Sequence, residues 1–212
     1  MSHQTADQTI LPPLPGPYKG LRIGLFGGSF NPAHGGHYHV AETALRCLGL
    51  DAVWWLVAGG NPLKEEHGVF EARLASARRV ASHPAMRVTG IERDLGVRYT
   101  SDLLGRLLPR LKGAHLVWVM GADNLRGFHK WGRWEDIAHC LPIVVIARPG
   151  ASPQAGLSKF ARRFAHARLS SGAARALPGS FAPAWIHLNA PFEPVSSTSL
   201  RRKAERRNPF RR

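Results

Sequence analysis

The sequence has few of the features that mark a disulfide-stabilised, membrane-embedded or secreted protein. Its 212 residues include only two cysteines, Cys47 and Cys140, which form no CxxC pair. We therefore expect both to be buried thiols in a reducing compartment rather than a disulfide framework. No apolar run approaches the roughly 20 residues of a membrane-spanning helix. The first residues lack the basic-then-apolar pattern of a signal peptide, so we expect a cytoplasmic protein.

Acidic residues are scarce as well. The chain carries 14 Asp and Glu against 29 Lys and Arg, a formal net charge of +15. Such a field attracts polyanions, whether nucleotides, pyrophosphate or nucleic acid. Charge alone does not distinguish such binding from a solvated basic surface.

Length and composition predict one folded domain with an extension at each end. A chain of this length suits one domain with its own core. We predict a proline-rich mobile arm at 1–19, a folded domain at 20–202 and a basic tail at 203–212.

Short apolar runs alternate with segments of helical periodicity. The predicted strands are 21–26, 52–58, 86–89, 115–120, 142–147 and 184–188, whereas 149–155 and 170–183 are predicted loops. This alternation predicts an α/β fold, a single-domain, Rossmann-like, doubly wound parallel sheet. In such sheets ligands bind beyond the carboxyl ends of the strands, where the strand order reverses.

The segment after the first strand combines two glycines with two histidines. Gly27 and Gly28 let backbone N–H groups approach a phosphate closely. His34 and His37 follow where a helix is predicted to begin, which is already a favourable place for an anion. Imidazoles there can stabilise a phosphoryl-type transition state without a protein nucleophile.

Two other interpretations of these histidines exist. Together with His39 they could hold a metal ion, but no cysteine, fourth histidine or well-spaced acid accompanies them. They could also be ordinary helix-start residues, although the preceding strand and double glycine favour a phosphate site.

A second constellation lies near the other end of the chain. Ser196, Ser197 and Thr198 precede a predicted helix, and Arg201 follows one turn later. One hydroxyl would suffice as an N-cap. A row of three with an arginine also suits a triphosphate tail.

Together the two motifs resemble those of the HxGH nucleotidyltransferases and, more narrowly, of the bacterial nicotinate-nucleotide adenylyltransferases. The resemblance runs in order over roughly 22–203. Further matching segments are Asn61-Pro62-Leu63-Lys64, Arg98-Tyr99-Thr100-Ser101-Asp102, Gly121-Ala122-Asp123-Asn124-Leu125, Phe128-His129-Lys130-Trp131 and Ala147-Arg148-Pro149-Gly150.

The resemblance implies a reaction and roles for residues. Nicotinate mononucleotide would attack the α-phosphorus of ATP, giving nicotinate adenine dinucleotide and pyrophosphate in NAD biosynthesis. Mg²⁺ would be carried by the ATP phosphates rather than bound directly by the protein. The implied catalytic residues are His34, His37 and Arg201. The implied ATP contacts add Gly27, Gly28, Ser29, Phe30, Gly121, Asp123, Ser196, Ser197 and Thr198. The implied mononucleotide contacts are Asn31, Lys64, Tyr99, Thr100, Trp131 and Arg148.

Two departures from the family pattern concern the predicted binding site of the acceptor mononucleotide. Gly132 follows the stacking tryptophan where many members carry an aromatic or long residue, and Arg98 replaces a frequent serine. We therefore expect a looser pyridine pocket.

Three alternatives remain. The acceptor could be nicotinamide mononucleotide, or phosphopantetheine, whose enzymes usually have threonine in place of the first histidine. The fold could also bind nucleic acid through its basic tail, but an intact catalytic set argues against that. We therefore expect ATP and nicotinate mononucleotide as partners, and neither a membrane nor nucleic acid.

Overall fold

The structure is a computed structural model that describes residues 11–60, 69–147 and 158–189. Within these ranges six strands form one sheet. The strands are β1 (Arg22–Gly28), β2 (Ala52–Val57), β3 (Met86–Thr89), β4 (His115–Gly121), β5 (Ile143–Ala147) and β6 (Trp185–Asn189). All neighbouring pairs are parallel.

Helices connect the strands. They are α1 (Gly35–Leu48), α2 (Phe70–Val80), α3 (Ile91–Asp94), α4 (Thr100–Leu107), α5 (Ala122–Leu125), α6 (Trp134–Cys140) and α7 (Lys159–Arg163). Short 3₁₀ segments include Leu108–Leu111, Phe128–Lys130 and Ser171–Gly179. Gly49 ends α1 in the left-handed conformation (φ 64°), which glycine adopts without steric cost. None of the helices in the described ranges is long and apolar enough to cross a membrane.

The strand order is β3-β2-β1-β4-β5-β6. The chain builds outward from β1 to β3, returns to place β4 beside β1, and builds outward again. The order therefore reverses between β1 and β4, and a ligand crevice is expected at their carboxyl ends. The predicted doubly wound α/β fold is confirmed.

Both faces of the sheet are covered, which explains the nearly continuous apolar runs. Every residue of β2 is buried, and its neighbouring tryptophans point to opposite sides. Trp54 joins a core under α3, α4 and α6, whereas Trp55 joins a core under α1 and α2. Such burial on both faces is typical of parallel strands between helices.

Two local predictions were wrong. The predicted loop 170–183 contains the 3₁₀ segment Ser171–Gly179. Its buried Ala174 and Leu177 are three residues apart, which matches the three-residue turn of that helix. The cysteines are also not both buried: Cys47 is half-buried, and Cys140 is exposed at the last residue of α6.

The segment 11–19 packs on the domain, unlike the mobile arm predicted for 1–19. Leu14 and Tyr18 lie against the core under α4. The Arg110 guanidinium donates a hydrogen bond of 2.6 Å to the Pro12 carbonyl. Residues 1–10, the predicted tail 203–212 and the helix predicted from about 197 lie outside the described residues.

Candidate active site

The two predicted histidines cap α1 reciprocally. His34, the residue before the helix, is extended (φ −149°), and its Nδ1 accepts a hydrogen bond from the Gly36 N–H at 3.1 Å. Nδ1 of His37 in turn accepts from the His34 N–H at 3.2 Å. A ring nitrogen that accepts from an N–H carries no proton, so a neutral ring is protonated at Nε2. The start of α1 therefore holds both rings as Nε2–H donors.

Aromatic rings support His37 from the core. The Phe30 ring lies 5.1 Å from the His37 ring, edge to face, and stacks on Trp55 at 5.1 Å with an interplanar angle of 27°. Phe30 is almost fully buried and has a φ of 47°, a left-handed conformation that is uncommon for a side chain of this size. The backbone between β1 and α1 thus turns sharply so that Phe30 reaches the core.

Packing explains the two glycines at the end of β1. A Cβ added at Gly27 would lie 2.6 Å from Cη2 of the buried Trp118, and one at Gly28 would lie 3.1 Å from the Phe30 ring. The rings occupy the space that side chains would need. The glycines therefore leave the backbone at the end of β1 uncovered on the cavity side, as a phosphate cradle requires.

The end of β4 contributes another of the segments that the resemblance identified, Gly121-Ala122-Asp123-Asn124-Leu125. Gly121 is the last residue of β4, and the Asp123 carboxylate lies against the position that a Gly121 side chain would take. Asp123 belongs to α5 and lines the cavity. The reversal point between β1 and β4 therefore places a carboxylate in the same cavity as the two histidines.

One cavity of about 530 Å³ brings most of the predicted residues together. Predicted residues that line it are Gly27, Gly28, Ser29, His34, His37, Tyr99, Thr100, Gly121, Asp123 and Trp131. Its volume is in the range of a small-molecule site. Ala58 and Gly60 after β2 also line it, whereas Ala147, the last residue of β5, does not.

Two predicted residues do not face this cavity. The Phe30 side chain is buried in the core, and Asn31 is exposed outside the cavity wall. The other predicted residues, namely Lys64, Arg148, Ser196, Ser197, Thr198 and Arg201, lie outside the described residues.

Trp131 lines the same cavity and packs on two other aromatic rings. Its indole is half-buried and meets Trp118 at 6.4 Å and Phe128 at 5.3 Å, both nearly perpendicular. Edge-to-face contacts of this kind fix the orientation of a ring. Trp118 lies next to both Gly27 and Trp131, so it connects the end of β1 to the tryptophan.

The missing side chain at Gly132 is compensated by Tyr99. A Cβ added at Gly132 would lie 3.0 Å from Cδ1 of Tyr99. The Tyr99 ring, which is 45% exposed, thus occupies part of the room that a larger residue would fill. This wall of the cavity is closed by a different residue from the one that the family pattern suggests.

Several lining residues were not predicted: Glu92, Arg98, Trp118, Asn124 and Lys130. The sequence carried a signal for Arg98, Asn124 and Lys130, because each lies inside a motif that the resemblance identified. For Glu92 the only signal was its position shortly after the third predicted strand, which is a weak one.

Glu92 is a buried carboxyl group in the cavity wall. Only 6% of its surface is exposed, and it accepts a hydrogen bond from the Gly59 N–H at 3.1 Å. Burial raises the pKa of Glu92 to about 7, although the Gly59 bond and the Arg73 charge oppose that rise.

This pKa predicts a pH dependence of stability. Between about pH 4.5, the ordinary value, and about pH 7, native Glu92 keeps a proton that the unfolded chain releases. The free energy of unfolding should therefore fall as pH rises through this window, by about 3 kcal/mol relative to Glu92→Gln. Urea unfolding of both proteins at several pH values measures the difference. Parallel curves would show that Glu92 is not buried as described.

Metal-binding clusters do not occur among the described residues: no group of three or more His, Cys, Asp or Glu side chains is placed to hold an ion. His34, His37 and His39 therefore form no such group in the described part of the chain.

The chain is similar to known proteins over most of its length. A sequence profile described as cytidylyltransferase-like matches residues 25–203. A Methylorubrum extorquens protein named "Probable nicotinate-nucleotide adenylyltransferase" is 50% identical over 184 residues, covering 85% of this chain and 99% of the relative. A Cereibacter sphaeroides protein of the same name is 48% identical over 180 residues, 84% of this chain and 95% of the relative.

A solved structure shows the same fold. Plasmodium falciparum nicotinic acid mononucleotide adenylyltransferase complexed with NaAD superposes with a TM-score of 0.60 at 17% identity, over 85% of this chain and 82% of that chain. The matching profile spans most of the sequence, and the relatives align over nearly their full length. The chain belongs to the cytidylyltransferase-like family and, with these relatives, to the nicotinate-nucleotide adenylyltransferases.

Proposed function

We propose that this chain transfers the adenylyl group of ATP to nicotinate mononucleotide, giving nicotinate adenine dinucleotide and pyrophosphate in NAD biosynthesis. The observation that carries the proposal is the shared cavity. The paired histidines, the two glycines and Asp123 line the same cavity as Trp131 and Tyr99. The names of the relatives support the same reaction.

The reaction is a direct displacement. An anionic phosphate oxygen of the mononucleotide attacks the α-phosphorus of ATP, and the bond from that phosphorus to the bridging oxygen breaks. Pyrophosphate takes away the electron pair. Because the attacking oxygen is already anionic, the step needs no protein nucleophile and no general base.

The histidines supply electrostatic stabilisation. Their Nε2–H groups donate hydrogen bonds to ATP phosphate oxygens as negative charge grows in the transition state. The reciprocal cap holds both rings in place before substrate binds, so little reorganisation is needed. Ser196, Ser197, Thr198 and Arg201 are proposed to bind the leaving β- and γ-phosphates.

A divalent metal accompanies ATP in this class of enzyme, and we propose Mg²⁺. It is part of the substrate complex, held by the phosphate oxygens. Asp123, which faces the cavity from α5, is the proposed contact for its water shell or for the ATP ribose.

The start of α4 is the proposed site for the nicotinate carboxylate. Thr100 is the first residue of α4, and none of the described side chains caps this helix. Its first N–H groups are therefore available to an anion, and the helix dipole favours one. Arg98 adds positive charge at the same wall. Trp131 is proposed to stack on the pyridine ring. Lys64 and Arg148, which lie outside the described residues, remain predicted contacts of the mononucleotide, whereas Asn31, outside the cavity wall, is left out of this proposal.

Product analysis tests this proposal. The protein is incubated with ATP, Mg²⁺ and nicotinate mononucleotide, and the products are identified by mass spectrometry. We expect nicotinate adenine dinucleotide and pyrophosphate in equal amounts. ADP or free AMP in place of the dinucleotide would contradict the proposal.

The basic tail is predicted to be dispensable for catalysis. Deleting residues 203–212 should leave kcat/KM within about twofold, because distant charge chiefly affects encounter with anions. Steady-state kinetics of the truncated and full chains measure this. A loss above about tenfold in a folded protein, or strongly salt-dependent binding of DNA or RNA by the full chain alone, would favour a nucleic-acid role instead.

A further inference from the structure

Helix α2 carries two polar residues on the face that it buries. Arg73 is 2% exposed and Ser76 is 6% exposed, whereas Arg78 and Arg79 on the same helix are exposed. Residues three apart lie on one side of a helix, so both polar groups face the same neighbours. An arginine this deeply buried is unusual and requires specific partners.

Arg73 donates hydrogen bonds to backbone carbonyls at the carboxyl ends of two strands. Its Nη1 donates hydrogen bonds of 2.8 Å to the Ser29 carbonyl, after β1, and of 2.8 Å to the Ala58 carbonyl, after β2. Its Nη2 donates a longer bond of 3.4 Å to the Gly59 carbonyl. One guanidinium therefore joins two loops that form the cavity wall.

Ser76 holds the other end of the first loop. Its Oγ accepts a hydrogen bond from the Ala33 N–H at 2.9 Å, and Ala33 directly precedes His34. The five residues from Ser29 to Ala33 are thus fixed to α2 at both ends. The left-handed Phe30 lies between the two contacts, where the backbone is least favourable on its own.

Glu92 completes the arrangement from α3. The Glu92 carboxyl oxygen Oε1 accepts the Gly59 N–H, so the segment after β2 is held from α3 as well. The attraction between Glu92 and Arg73 belongs to the ionised form of Glu92, which predominates only above about pH 7. Glu71 also attracts Arg73. Arg73 is not among the described residues that line the cavity.

We propose that Arg73, Ser76 and Glu92 form a brace that positions the β1–α1 loop, and through it the reciprocal cap of His34 and His37. We call this group the α2 brace. Its members are positioning residues, because Arg73 and Ser76 act on backbone groups rather than on substrate. The proposal rests on the proposed function, in which the two histidines serve the ATP phosphates.

The brace predicts a specific kinetic change. Arg73→Lys keeps the charge but cannot bridge the separated carbonyls, so we expect kcat to fall about a hundredfold, as for a catalytic group displaced by about 1 Å. Ser76→Ala removes a single hydrogen bond, and we expect a loss of about fivefold. KM for ATP and for nicotinate mononucleotide should stay within about twofold in both variants. Arg79→Gln, an exposed change on the same helix, is the control and should match the unmodified protein.

A second measurement separates positioning from general stability and needs no substrate. The ¹⁵N chemical shifts of a neutral imidazole report which ring nitrogen carries the proton. For His34 and His37 we expect Nε2–H in the unmodified protein and in Arg79→Gln. Arg73→Lys and Ser76→Ala should shift these signals toward a mixture of the two tautomers.

The outcomes are distinguishable. Unchanged kcat and unchanged histidine signals in folded Arg73→Lys and Ser76→Ala would overturn the brace, as would a rise in KM that alone accounts for the loss. If Arg73→Lys does not fold, Ser76→Ala decides the question. If the unmodified protein does not transfer adenylyl groups to nicotinate mononucleotide, the proposed function fails, while the ¹⁵N signals still decide the brace.

Discussion

Replacing His37 with alanine is expected to lower kcat about a thousandfold, the loss typical of removing one preorganised donor to a transition-state oxyanion. The Nε2–H of His37 should donate its strongest hydrogen bond when charge has accumulated around the α-phosphorus. Binding of ATP in its ground state should weaken much less, by about threefold. The two effects are measured by steady-state kinetics and by calorimetric titration with the non-reacting MgATP complex.

A matched control excludes a general effect of losing an imidazole. His115 is the exposed first residue of β4. It therefore lies at the amino ends of the strands, whereas the cavity lies at their carboxyl ends. His115→Ala should therefore retain the kcat and ATP affinity of the unmodified protein. Equal losses of kcat and ATP affinity in His37→Ala would indicate a ground-state contact and would contradict the proposed role.

Replacing Trp131 with alanine is expected to reduce kcat/KM for nicotinate mononucleotide about fiftyfold. Stacking of a ring on an aromatic side chain is worth about 1–3 kcal/mol, and the alanine variant loses that contact. Trp131→Phe should retain most of the activity, because a flat aromatic face remains. The affinity for ATP should hardly change, since Trp131 is not among the proposed ATP contacts.

Trp134 provides the control for this experiment. It packs against Phe128 at 6.1 Å and Phe164 at 5.9 Å, outside the cavity wall. Trp134→Ala should lower the melting temperature through lost packing yet leave KM for the mononucleotide nearly unchanged. An equal rise in KM in both alanine variants would mean that the loss of Trp131 disturbs the fold, and that Trp131 does not stack on the pyridine ring of the substrate.

The sheet and the first helix could be predicted because their signals are local. Buried parallel strands are nearly continuous apolar runs, so β3 was predicted at its observed bounds and β1, β2, β4 and β5 within two residues of theirs. The start of α1 was predicted from the glycines and histidines that form it. Local chemistry therefore identified the residues of the proposed phosphate site.

The supporting residues of the site depend on contacts across the chain. Arg73 is 44 residues from Ser29 in sequence, and Glu92 is 33 residues from Gly59. An arginine within a basic helix looks solvated until the fold places backbone carbonyls around it. The packing of Trp118 on Gly27 has the same origin, because β1 and β4 become neighbours only in the folded sheet.

The contact between Gly132 and Tyr99 is a second feature that the sequence did not predict. A glycine in place of a larger residue predicts empty space, yet the Tyr99 ring lies there. The identity of the compensating residue depends on how α4 and the segment after Phe128–Lys130 approach each other. The distance between these two segments cannot be read from the spacing of residues in the sequence.

Pyrophosphate release is the measurement that tests the central claim most directly. The unmodified protein is given ATP and Mg²⁺ with nicotinate mononucleotide, with nicotinamide mononucleotide at equal concentration, or with no acceptor. We predict fast release with the nicotinate form and much slower release with the amide, because the start of α4 and Arg98 favour an anion. Release at equal rates would show that this wall does not discriminate, and no release with either acceptor would contradict the proposed function.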